Sequence, residues 1–145
     1  MSDAYDDLDD VDLVDDEEQA AEEEPSTLMF GSVDEFVREQ LLKTYTRVVG
    51  PSGRAHRRWA ADWWRYPEAI VRLEALWRSW EHLRQDGATG SSTWWRDHLD
   101  HHMPILMDVE GPFAEAKDSN NPGEPLPYTP PPEGMFTDVR VTGGM

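Results

Sequence analysis

"PEAIVRLEALWRSWEHL", residues 67–83, is the stretch on which the fold class turns. Ile70, Leu73, Leu76, Trp77, Trp80 and Leu83 recur in it at helical spacing. At about 100° per residue these six gather within an arc of about 140°, opposite Arg72, Ala75, Ser79 and His82. Glu68 stands four residues before Arg72, and Glu74 four before Arg78, so opposite charges meet on the outer face of a helix. Pro67 suits the first turn, where its missing N–H costs nothing. Asp86 and Gly87 close the helix.

Upstream, "GRAHRRWAADWWRYP" (53–67) spaces Trp59 and Trp63 one helical turn apart, which predicts a short Trp-rich helix ending before Pro67. Further upstream, Ser32 and Glu35 form an S-x-x-E capping box, in which the hydroxyl accepts an amide three residues on while the carboxylate reaches back. The helix that starts there puts Val33, Val37, Leu41, Tyr45 and Val48 on one face, and Gly50 with Pro51 ends it. Downstream, "GATGSST" (87–93) reads as a loop leading to a Ser or Thr cap. A last helix follows, containing "WWRDHLDHHMPIL" (94–106), with Gly111 and Pro112 as its exit. The expected architecture is all-α: three main helices and a short Trp-rich one over residues 31–113, with tryptophans of the last three segments converging on the core.

Both flanks read as disordered tails. The first 25 residues hold 13 acids and no Lys or Arg, a self-repelling composition expected to stay unfolded over residues 1–30. Tyr5, Leu8, Val11, Leu13 and Val14 are spaced among these acids. Acidic and apolar residues mixed in this way either solubilise or fold against a basic, greasy partner. Residues 114–145, with "NNPGEPLPYTPPPEG", lack a periodic apolar face and are expected to be unstructured, with local polyproline II around Pro130 to Pro132. The acidic segment supplies 13 of the net −17, whereas Val33–Phe113 holds 12 acids and 11 bases, so its formal charge is −1. The chain has no Cys, which removes disulfides, thiolate metal sites and cysteine nucleophiles. No apolar run approaches the roughly 20 residues of a membrane span, and a cytoplasmic location is expected.

The last helix concentrates potential ligands. With Trp95 at 0°, Leu99, His102 and Leu106 fall within about 40° of it, while Asp97, Asp100 and Pro104 point the other way. The apparent cluster therefore reduces to His98 and His102, four residues apart. Such a pair is the spacing of H-E-x-x-H zinc sites, but Leu99 stands where that motif has its Glu. A third ligand would have to be His56 or His82, and His82 faces away from the apolar arc of its helix. The reading adopted is packing, with the His pair partly buried against Trp and donating to backbone or carboxylate; no metal and no cofactor are expected.

The second candidate is basic. Arg54, Arg57, Arg58 and Arg65 lie beside Trp59, Trp63 and Trp64, opposed only by Asp62, with Lys43 and Arg47 upstream. Arg for phosphates and aromatics for bases is how single-stranded nucleic acid is held. The competing reading places the tryptophans in the core, since a domain of about 80 residues needs most of its large aromatics inside. Were the patch to bind nucleic acid, the acidic N-terminal segment would compete for it. No Gly-rich phosphate loop, nucleophile elbow or paired catalytic carboxylates can be found, so no enzyme activity is expected.

Residues 61–113, with Trp63-Trp64 before "YPEA", then "VRLEALWRSWEHLR", "WWRDH", a further His and the "GPF" exit, resemble the actinobacterial family catalogued as domain of unknown function number 4913. The resemblance implies an accessory component of plasmids, phages and integrated elements and brings no catalytic residues. The expected function is a non-enzymatic interaction module that uses the acidic N-terminal segment, the Arg-Trp face of Arg54, Arg57, Arg58, Trp59 and Arg65, or both, to bind a protein partner in such a mobile-element system. The alternative is a nucleic-acid-binding accessory protein acting through Arg54, Arg57, Arg58, Trp59 and Arg65.

Overall fold

The computed structural model describes residues 28–51 and 56–142. Of the acidic tail expected to be unfolded over residues 1–30, residues 1–27 lie outside the described residues, as does Arg54, while at its end Phe30 is instead buried in the core. The described chain is all-α, with no strand among the described residues. Helix α1 covers 33–44, α2 is Pro67–Leu83, α3 covers 90–106, and a single turn, α4, is Val139–Thr142. No described helix is long and apolar enough to cross a membrane.

The capping box forms as expected. Ser32 is extended, its Oγ accepts from the Glu35 amide at 3.1 Å, and the Glu35 carboxylate accepts from the Gly31 amide at 2.8 Å. The next turn departs from the α pattern: Val37–Leu41 is π-helical, with the Leu42 N–H reaching the Val37 carbonyl, before α-geometry returns at Leu42–Thr44. In α3 the same happens at Trp95–Leu99, between Gly90–Trp94 and Asp100–Leu106. A π turn holds one residue more than an α turn and rotates everything after it. The stripe expected in α3, with Trp95 and His102 beside Leu99 and Leu106, is therefore corrected. Trp94, Leu99, Met103 and Leu106 are buried, whereas Trp95 and His102 are only half-buried.

Two boundaries also change. Helix α1 stops at Thr44 instead of running to Val48, because Val49 is engaged from outside the helix. Its amide donates to Asn120 Oδ1 at 2.9 Å and its carbonyl accepts from the Asn120 amide at 3.4 Å. The expected short Trp-rich helix shrinks to a 3₁₀ turn, Trp63–Arg65. The amides before it are committed to distant partners, Arg58 to the Met107 carbonyl at 2.9 Å and Ala61 to Asp118 Oδ2 at 2.9 Å.

Helices α2 and α3 pack closely where they are joined. A Cβ on Gly90 would lie 1.8 Å from the Leu83 carbonyl oxygen, so only glycine fits. The Trp94 indole donates to the Leu76 carbonyl and to Ser79 Oγ, each at 3.1 Å. Phe36 of α1 meets Trp80 at 5.7 Å and Trp94 at 6.2 Å between ring centroids. Trp59 and Trp63 are fully buried and Trp64 nearly so, which settles their place in the core.

The segment after Phe113, expected to be unstructured, is the largest correction. Between Ala114 and Asp138 it has no helix or strand, yet it is laid along the helical body. Leu126 is buried in the same core as Phe30 and Trp59, and its amide donates to the Leu42 carbonyl at 3.3 Å. The indoles of Trp59 and Trp64 donate to the carbonyls of Pro127 (2.9 Å) and Thr129 (2.8 Å). Tyr128 donates to Asp34 at 2.8 Å. The physical reason lies in the prolines: they have no N–H to satisfy, and carbonyls in such a stretch remain free to accept from side chains. At the end of the segment the Arg140 guanidinium joins Glu35 (2.8 Å), Asp138 (2.8 Å) and the Met29 carbonyl (2.5 Å).

Candidate partner-binding surfaces

The Trp-Arg segment divides once it is folded. Trp59 is edge-on to Phe113 at 5.2 Å and wholly buried, so it offers no face for a base to stack on. Arg58 donates to the carbonyls of Gly50 (2.5 Å) and Pro51 (3.1 Å). Arg65 pairs with Asp62 at 3.1 Å and lies over the Trp64 ring. Arg57 is exposed, with no ion pair among the described residues.

A different grouping of cations emerges. Arg38, Lys43, Arg65, Arg72, Arg78, Arg84, Arg96 and Arg140 each have a carboxylate within 4.0 Å. Among the described residues Arg47, Arg57, Arg58 and Lys117 have none, and hydrogen bonds join the chain segments that carry them. The Gly50 amide donates to the Arg57 carbonyl at 3.2 Å, and Asn120 Nδ2 to the Arg47 carbonyl at 3.0 Å, three residues beyond Lys117. Arg47 lies 3.9 Å over the Tyr45 ring. A shallow hollow of about 280 Å³ beside them is lined by Tyr45, His56, Arg57, Pro104, Asp108 and Val109. Val109, at 41% exposure, and Pro104 leave apolar surface in this hollow beside Arg57.

The histidines lie on the α2–α3 seam. His98 is half-buried, and His102 Nδ1 stands 3.0 Å from the Arg72 guanidinium, which also holds Glu68 at 3.0 Å. Arg72 can only donate, so this ring nitrogen accepts and His102 is neutral. Burial, then the charge of Arg72, then His101 and His98, keep its pKa below the ordinary value. The expected donation to a carboxylate or carbonyl is thus replaced by acceptance from an arginine. No group of three or more His, Asp or Glu placed to hold a metal occurs among the described residues. His56 and His82 are exposed, on the hollow and on a separate groove respectively.

That groove, of about 610 Å³, runs between the outer face of α2, the entry to α1 and the segment before α4. Trp77 and Phe136 line it, with Glu74, Arg78, His82 and Gln85 as polar rim. Three large apolar side chains are left open here: Met135 (45%) and Val139 (47%) in the lining and Met29 (49%) next to Leu28. Beneath it is Glu81, a buried carboxylate that sequence reasoning missed. It accepts from the amides of Met29 (3.0 Å) and Phe30 (2.9 Å), from the Trp77 indole (3.1 Å) and from Arg84 (3.1 Å). Its signal in the sequence was an acid at the edge of the apolar arc of α2, about 20° past Ile70 and four residues after Trp77.

Fold and surfaces together define a small all-α domain with an apolar groove and, sharing no lining residue with it, a hollow beside Arg57. The chain belongs to the family described as a domain of unknown function (DUF4913), which matches residues 30–132. The match extends beyond the helices into the Pro-rich segment that buries Leu126. No curated protein and no solved structure matches the chain.

Proposed function

We propose that the chain is a non-enzymatic interaction module whose groove between α2 and the segment before α4 receives apolar side chains of a protein partner. The observation that carries this reading is that Met135 and Val139, each nearly half exposed, line one concave surface together with Trp77 and Phe136. Apolar side chains gathered at a polar-rimmed groove mark an interaction site, whereas isolated ones do not. The setting, an accessory component of an actinobacterial mobile-element system, comes from the family resemblance, and the cytoplasmic location from the lack of a membrane-length apolar run in the sequence.

The test uses the full chain as bait in its host, with retained proteins identified by mass spectrometry. Met135→Glu should weaken retention of one defined protein at least about tenfold, or about 1.4 kcal/mol. Val71→Glu, at a 69% exposed position on α2 outside the groove lining, should leave it unchanged. Equal retention by all three chains would overturn the reading, as would a chain that self-associates through this groove.

The second reading, nucleic-acid binding, is favoured by one observation: four cations without carboxylates on chain segments joined by hydrogen bonds. Its test is a salt-dependent shift of labelled single- and double-stranded DNA by the full chain. No shift at low salt would remove it.

A further inference from the structure

We propose that the cationic surface formed by Arg47, Arg57, Arg58 and Lys117 is the docking surface for the chain's own acidic N-terminal segment, Asp3–Asp16. The claim is independent of the partner groove, which lies elsewhere on the molecule. Two properties of the surface match two properties of the segment. The first is charge. Eight aspartates fall within Asp3–Asp16 with no Lys or Arg, and the four cations are those that no carboxylate satisfies among the described residues. Arg47 and Arg58 are held by Tyr45 and by backbone carbonyls, so their charge is fixed in place without being neutralised. Asp108 is the carboxylate that lines the hollow beside Arg57, and it forms no ion pair within 4.0 Å among the described residues.

The second property is apolar. Tyr5, Leu8, Val11, Leu13 and Val14 interrupt the acids, and Val109, 41% exposed, and Pro104 give the hollow that holds Arg57 an apolar side. A segment of mixed acidic and apolar residues takes a surface that is both basic and greasy. Bases of nucleic acid would instead need open aromatic faces, and Trp59, Trp63 and Trp64 have none to give. Reach follows from length. The 17 residues between Asp10 and Leu28 span up to about 56 Å, and the 24 between Asp3 and Leu28 up to about 79 Å, at roughly 3.3 Å each. A folded body of about 115 residues has a radius of gyration of about 13 Å, so a path of about 53 Å half-way round its surface lets Asp3–Asp10 reach any face.

The chain has no cysteine, so Ala4→Cys accepts a single nitroxide in the otherwise intact protein. Docking predicts that the amide signals of Arg47, Arg57 and Val109 lose at least about half their intensity at low salt and recover in about 0.5 M NaCl, where the Debye length falls below about 5 Å. Arg57→Glu, at an exposed position, should abolish the effect without unfolding the protein. Unbroadened signals at these amides would overturn the proposal. So would broadening centred on Met135 and Val139, or broadening that appears equally when labelled and isotope-enriched copies are mixed. Signals that stay sharp but shift when a DNA oligonucleotide is added would overturn it in favour of nucleic acid.

Discussion

At the scale of single residues, the three tryptophans near residue 60 make an internal comparison. Trp59 and Trp64 donate their indole N–H to backbone carbonyls, whereas Trp63 Nε1 is buried with no partner among the described residues. Replacing any of them by Phe removes a similar volume from the core. Trp59→Phe and Trp64→Phe should each cost about 1 kcal/mol more than Trp63→Phe in urea denaturation, because only they leave a carbonyl without its donor. Two titrations test the buried polar contacts. His102 is held below its ordinary value near 6.5 by burial and then by Arg72. As pH falls through 6.5 the unfolded chain takes up this proton first, so stability declines until the folded-state value is passed. Imidazole NMR shifts should show His102 titrating below free histidine. Tyr128 is displaced the other way, pushed up to about 12 by burial and then by its hydrogen bond to Asp34. Its contribution is complete below the ordinary value of 10 and is lost between there and about 12, which phenolate absorbance against Tyr128→Phe should register. The aromatic core was legible at this scale, because so small a domain has no spare tryptophan. The role of Glu81 was not, since a carboxylate at the edge of an apolar arc reads as an ordinary solvated flank and shows nothing of the amides that meet it.

At the scale of elements, α2 follows its 3.6-residue period and was read correctly, down to the Glu68–Arg72 and Glu74–Arg78 ion pairs at 3.0 and 3.4 Å. Helices α1 and α3 were read with the same period: in α1 the face of Val33, Val37, Leu41 and Tyr45 is buried as read and is widened by Phe36 and Leu42, whereas the stripe of α3 came out rotated. Their signal is a spacing of five between buried residues: Phe36 to Leu41, Val37 to Leu42, Trp94 to Leu99. An α-helix cannot bury residues five apart in line, and one extra residue in the turn can. The π turns therefore behave as one-residue insertions, which leads to a distinctive expectation. Deleting the exposed Asp97 from the turn Trp95–Leu99 should restore α-geometry while both flanks keep their faces. The folded state should survive with a loss of about 1 kcal/mol or less. Deleting the equally exposed Ala75 from α2 should rotate its second half by about 100° and abolish cooperative unfolding. Thermal melts followed by circular dichroism distinguish the two.

At the scale of the whole molecule, the all-α class and three principal helices were legible, and the extent of the folded unit was not. Residue 113 seemed a boundary because periodicity ends there. The segment beyond it is held by single anchors, Leu126 in the core and Tyr128 on Asp34, and by carbonyls that accept indole protons, none of which has a period. A chain ending at Phe113 should accordingly lose at least about 4 kcal/mol, combining the burial of Leu126 with two indole hydrogen bonds. Its urea transition against that of the full chain measures this directly. Where the fold begins and where it finishes also touch. The Val139 amide donates to the Gly31 carbonyl at 2.9 Å, and a Cβ on Gly31 would fall 1.9 Å from Asp138 Oδ1. The backbone is thus nearly a closed ring. A circular permutant, spliced by a short linker from residue 142 to 28 and opened at the exposed Gly87, should melt as cooperatively as the parent.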